Sequence, residues 1–150
     1  MQILKKVMLS SMALIFVSTT ASADENDTLC SMYSKTGGAM SEFMLPLTVQ
    51  DFINMINGSD QGLMNDMVKA MTDAWSGSDM VALSKLNTED AEIIGEAAGQ
   101  VAIELLMTGQ ASTKTEVTQF MNKSCMTVGA KNIIRNQRKS RAATAAIMGQ

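Results

Sequence analysis

Asn87 to Met107 reads NTEDAEIIGEAAGQVAIELLM. Asn87 or Thr88 can cap a helix, and Glu89, Asp90 and Glu92 favour the positive end of its dipole. Ile94, Ala97, Ala98, Val101 and Leu105 then recur at i, i+3, i+4, i+7 and i+11, the period of a helix and not of a strand. The stretch predicts a central helix whose alanines, with Gly95 and Gly99, let neighbours approach closely.

The flanks repeat the pattern. Downstream, Thr113-Lys114-Thr115-Glu116 has the form of a capping box and opens a helix with Val117, Phe120, Met121, Ser124 and Val128 on one face and Cys125 beside it. Upstream, a helix from about Thr28 to Met44 carries Cys30, Tyr33, Gly37, Met40 and Met44 at helical spacing, with Gly37-Gly38 expected to weaken or kink it. Thr48 can cap a short helix with Phe52, Ile53 and Ile56 on its apolar face, stopped by Asn57-Gly58. Another starts near Ser59-Asp60, places Leu63, Met67, Met71 and Ala74 on one stripe with Trp75 beside it, and ends near Gly77. Between Ser78 and Leu86 a single turn is expected to dip Met80, Val81 and Leu83 into the core. A length of 150 residues with one proline and few β-branched clusters fits one domain. The expected fold is all-α, a compact bundle of about five helices.

Lys5 and Lys6, the apolar run Val7–Val17 and the small residues Ala21-Ser22-Ala23 have the form of a secretory signal peptide spanning residues 1–23. The run of eleven residues is too short to cross a bilayer, which takes about 20, and no second long apolar run follows, so an integral membrane protein is not expected. Export makes an oxidising compartment, the periplasm or the extracellular space, the expected location. There Cys30 and Cys125 form the single available disulfide, which would tie the first helix to the last.

Charge is uneven along the chain. Asp24 to Glu116 holds all fifteen acids against four lysines, whereas Val117 to Gln150 holds no acid and six bases. The division is therefore a helical domain over 24–130 and a basic, then alanine-rich, segment over 131–150. Lys131, Arg135, Arg138, Lys139 and Arg141 are the candidate partner-binding residues, for an anionic envelope surface or an acidic protein. The segment lies beyond the disulfide and the clear apolar stripe, so the helical core is expected to survive its removal. The alternative is that it docks on the acidic body of the same molecule. No aromatic residues interleave the bases for stacking, and nucleic acid is not an expected partner.

The chain has fifteen methionines and no histidine. Met64, Met67 and Met71 fall at i, i+3 and i+7, and Met40 and Met44 at i and i+4. Such sets fill a core poor in aromatics, form an adaptable surface for apolar partners, or hold a soft metal such as Cu(I). Without histidine, Ser-His and Cys-His catalysis are excluded. Asp66, Asp73, Asp79, Glu92, Glu96 and Glu104 are the carboxylates from which an acid–base pair could be built, but their spacing is that of solvated helix faces. No phosphate-binding loop, dinucleotide fingerprint, nucleophile elbow or calcium loop is present. No catalytic residue and no cofactor are expected.

The layout resembles small exported helical proteins held by one disulfide near the two ends of the domain, a group that includes acid-stress chaperones and inhibitors or immunity proteins that block a toxic enzyme. The resemblance spans the mature chain in outline and carries no functional residue across. It implies a non-enzymatic interaction module of the cell envelope that binds another envelope or exported protein. A Cu(I) or stress-responsive binder using the methionine sets is the alternative.

Overall fold

The computed structural model describes residues 25–149, so the expected signal segment at 1–23 lies outside the described residues. Among the described residues all regular structure is helical. Helix α1 covers 25–44. It is followed by α2 (Val49–Ile56), α3 (Gln61–Asp73), α4 (Gly77–Lys85), α5 (Thr88–Met107), α6 (Lys114–Val128) and α7 (Ala130–Ile147). The count among the described residues is thus seven rather than about five.

Two local causes account for the difference. Ser76 and Asp79 form a reciprocal capping box, which turns the expected single turn after Gly77 into helix α4. At the other end, Gly129 adopts φ +92, which a residue with a Cβ rarely does, and this break separates α7 from α6. The other expected caps are present, Thr48 on α2, Asp60 on α3, Asn87 on α5 and Thr113 with Glu116 on α6.

The Cys30–Cys125 disulfide is formed, with Cα atoms 5.4 Å apart. It joins α1 to α6, the last helix but one, because α7 follows it. Both cysteines are wholly buried in a core built from Leu29, Met32, Ile93, Ala98, Val117 and Met121. Gly37 and Gly38 do not interrupt α1; they let α6 press against it. A Cβ on Gly37 would stand 2.2 Å from the Met121 sulfur, and one on Gly38 would stand 2.1 Å from Thr118 Oγ1. Gly99 gives the same clearance to Met40, while Gly95 faces open space and plays no such part.

Helix α5 is central, as its sequence predicts, burying Ile93, Ile94, Ala97, Ala98, Gly99, Ala102 and Leu105. It packs against α6 and α7, and Met40 of α1 approaches Gly99. Helix α7 therefore belongs to the core: Ala130 and Ile134 are buried and Ile133 is half-buried against it. Ile133 and Ile134 lie beyond residue 130, in the segment that the sequence reading set apart from the helical domain, and their short stripe packs against the core. The N-terminus of α7 has no side-chain cap of its own; Asn26 of α1 accepts a hydrogen bond from Ala130 N at 2.8 Å.

The α2–α4 arm is held more lightly. Helix α3 buries no residue completely, and α4 buries only Asp79 and Ala82. Met80 and Val81, expected in the core, are exposed, as are Ile53 and Ile56 of α2, where Met55 is the buried residue. Two polar contacts fasten the arm to α1: Lys35 Nζ donates to Asp79 Oδ2 at 2.8 Å, and Trp75 Nε1 donates to Thr36 Oγ1 at 2.9 Å.

Candidate functional site

Where the arm crosses α1 and α5 it leaves an apolar cavity of about 250 Å³. Helix α1 contributes Met32, Tyr33, Thr36 and Met40; α3 contributes Met67 and Met71. Trp75, Leu83 and the Ala91, Ile94 and Gly95 stretch of α5 complete it. The methionine periodicity on α3 thus brings two of its three members together with two thioethers of α1, while Met64 does not line the cavity. Thr36 is already engaged, accepting from Trp75 and donating to Met32 O at 2.8 Å. Tyr33 is 4 % exposed, and burial pushes its phenol up to about 12.

A second apolar depression, of about 320 Å³, lies at the corner between α1, α2 and α5. Met44, Leu47, Val49 and Phe52 form one wall and Ile103, Leu106 and Met107 the other. Val49 is 77 % and Met107 82 % exposed, and Ile53 and Ile56, also exposed, follow Val49 at i+4 and i+7 on α2. Sequence reading missed this groove because it followed a single stripe along α5. The signal was the second set, Ile103, Leu106 and Met107, which makes the end of that helix apolar on two faces.

The candidate basic residues are divided by the fold. Arg138 pairs with Asp90 and Glu89, and Arg141 Nε donates to Glu96 Oε2 at 2.7 Å. Hydrogen bonding from Arg141, with a further bond from Gln137, holds the Glu96 carboxyl below its ordinary range. Lys131 lies 3.7 Å from Glu25. Arg135 and Lys139 are exposed and form no ion pair among the described residues. The basic face of α7 is thus turned in large part onto the acidic faces of α5 and α1.

Three of the six candidate carboxylates are taken up in ion pairs. Asp79 meets Lys35, Asp73 meets Lys69, and Glu96 meets Arg141. Burial alone would raise the Asp79 carboxyl, but hydrogen bonds from Lys35 and from the Ser76 backbone and hydroxyl outweigh it and hold the group below the carboxylate range. Among the described residues no group of three or more cysteine or carboxylate side chains is placed to hold a metal ion. No helix among them is long and apolar enough to cross a membrane.

Among the described residues these features define an all-helical, disulfide-tied protein with a partly open apolar cavity and a shallower apolar groove. The chain matches no family model, no curated protein and no solved structure.

Proposed function

We propose that this protein is an exported, non-enzymatic interaction module of the cell envelope, and that it works by holding another protein in the groove between α2 and the end of α5. The observation that carries the reading is the exposure of Val49 and Met107 in one depression, with exposed Ile53 and Ile56 at helical spacing from Val49 along α2. Contiguous apolar surface of this kind is a cost in solubility that an isolated monomer rarely keeps. The flexible Met44 and Met107 side chains suit an adaptable contact. The groove matches an amphipathic helix laid along it, and the excess of acids before Glu116 favours a partner with cations flanking its apolar face.

A photo-crosslinking amino acid placed at Val49 or Met107 in the exported protein tests this. Discrete adducts at both positions, lost with Phe52→Asp, are expected. Adducts that form equally from Thr127, on the far helix α6, or no adduct at all, would overturn it.

The second reading, a Cu(I) binder, is favoured by one observation: Met32, Met40, Met67 and Met71 line the same cavity. Thioethers are ligands that select soft metals. On this reading Met64 takes no part.

A further inference from the structure

The partly open apolar cavity between α1, α3 and α5 combines three properties that a packing defect does not share. It is walled by four methionines, the side chain best able to close a gap by changing rotamer, and yet it stays open. It carries the Gly95 position, where a Cβ would meet nothing within 4 Å, although alanine there would favour the helix and fill space. Its wall also contains a phenol, that of Tyr33. Tyr33 is 4 % exposed and its hydroxyl bonds to no described residue. No fully enclosed side-chain nitrogen or oxygen among the described residues lacks a partner. Of the polar side chains among the lining residues, Thr36 and Trp75 are engaged with each other, which leaves the Tyr33 hydroxyl.

We propose that this cavity is a binding site for a small, uncharged, mainly apolar molecule bearing one hydrogen-bonding group, which meets the Tyr33 hydroxyl while its hydrocarbon part lies among Met40, Met67, Met71 and Trp75. The size fits such a ligand. An apolar cavity of about 150 Å³ takes benzene, so by proportion this one holds about ten carbon atoms. It does not admit a protein helix, which is about 10 Å across. Charge is excluded as well, because no charged group lines the wall.

The test uses the oxidised mature protein labelled with methyl-13C methionine, and naphthalene and 1-naphthol as probes. Both probes should shift the Met32, Met40, Met67 and Met71 methyls saturably at one equivalent, quench or shift the emission of the single tryptophan, Trp75, and leave Met107 and Met126 unmoved. The naphthol should bind about five-fold more tightly, the advantage of one neutral hydrogen bond. Tyr33→Phe should erase that preference and leave naphthalene binding unchanged. Gly95→Leu, which adds a side chain at a lining position with free space around it, should abolish binding of both while the protein keeps its helical spectrum and melting temperature. Shifts of equal size at Met107 and Met126, or no saturation, would overturn the proposal. So would one equivalent of Cu(I) moving the four cavity methyls while both probes leave them unmoved, a result that would favour the soft-metal reading.

Discussion

Asp79 of α4 sits beneath Lys35 of α1, its side chain 2 % exposed, with the ammonium nitrogen 2.8 Å from Oδ2 and the Ser76 backbone N–H donating to the same oxygen at 2.7 Å. One carboxylate thus caps its own helix and fastens that helix to another. Asp79→Ala removes both roles and should destabilise the protein by about 1–3 kcal/mol, the lower part of the range for a broken buried pair because Lys35 still reaches water. Chemical denaturation measures it; a change below about 0.5 kcal/mol would mean that the arm is held by other contacts.

The same carboxylate gives stability an acid limb. Its folded pKa lies below its unfolded value, so its contribution is complete above the ordinary carboxylate range and is lost as pH falls through the folded value. Glu96, held low by Arg141, acts in the same direction. The melting temperature should therefore hold steady from about pH 8 to about pH 5 and decline below about pH 4, more steeply in the parent than in Asp79→Asn.

Tyr33 supplies an alkaline counterpart with a clean readout, since it is the only tyrosine in the chain. Burial favours its neutral form, so stability is complete below the unfolded value near 10 and falls as pH rises toward about 12. Absorbance at the phenolate band should titrate near 12 in folded protein and near 10 in denaturant. Equal midpoints would show that solvent reaches the ring freely.

Replacing both Cys30 and Cys125 by serine should destabilise by about 2–5 kcal/mol, because the bridge closes a loop of 95 residues in the unfolded chain. The parent's intact mass should lie two hydrogens below that of its reduced form.

Ile134→Ala should cost about 2–4 kcal/mol, since the side chain is 5 % exposed against the core. Truncation after Ala130 removes it with the rest of the α5 contact and should lower the melting temperature sharply. A melt unchanged by truncation would return α7 to the status of a detachable arm.

The helical class, the caps and the centrality of α5 were legible in the sequence because each depends on spacing or on residues close in the chain, and the disulfide because the chain has only two cysteines. Thr113 and Glu116 find each other three positions apart, and the apolar period of α5 sets its buried face without reference to any partner. What was not legible depended on distant neighbours. Gly37 and Gly38 read as helix weakeners because Met121 and Thr118, which occupy their missing side chains, lie more than 70 residues away. Ile133 and Ile134 read as too thin a stripe because half of their burial is provided by α5. The pairing of Arg138 with Asp90 and of Arg141 with Glu96 has no local signature either, and the grouping of Met32 and Met40 with Met67 and Met71 required two helices to be laid side by side.

The bond between Cys30 and Cys125 has one more outcome, for proteolysis. The lightly held α2–α4 arm, with Lys69 and Lys85 exposed on it, lies wholly inside the covalent ring that this bond closes. A protease that cuts the arm once therefore opens the ring without releasing a fragment. The nicked molecule keeps its mass apart from one added water and comes apart only on reduction. In a compartment rich in proteases, the segment that is easiest to cut is the one whose cutting separates nothing.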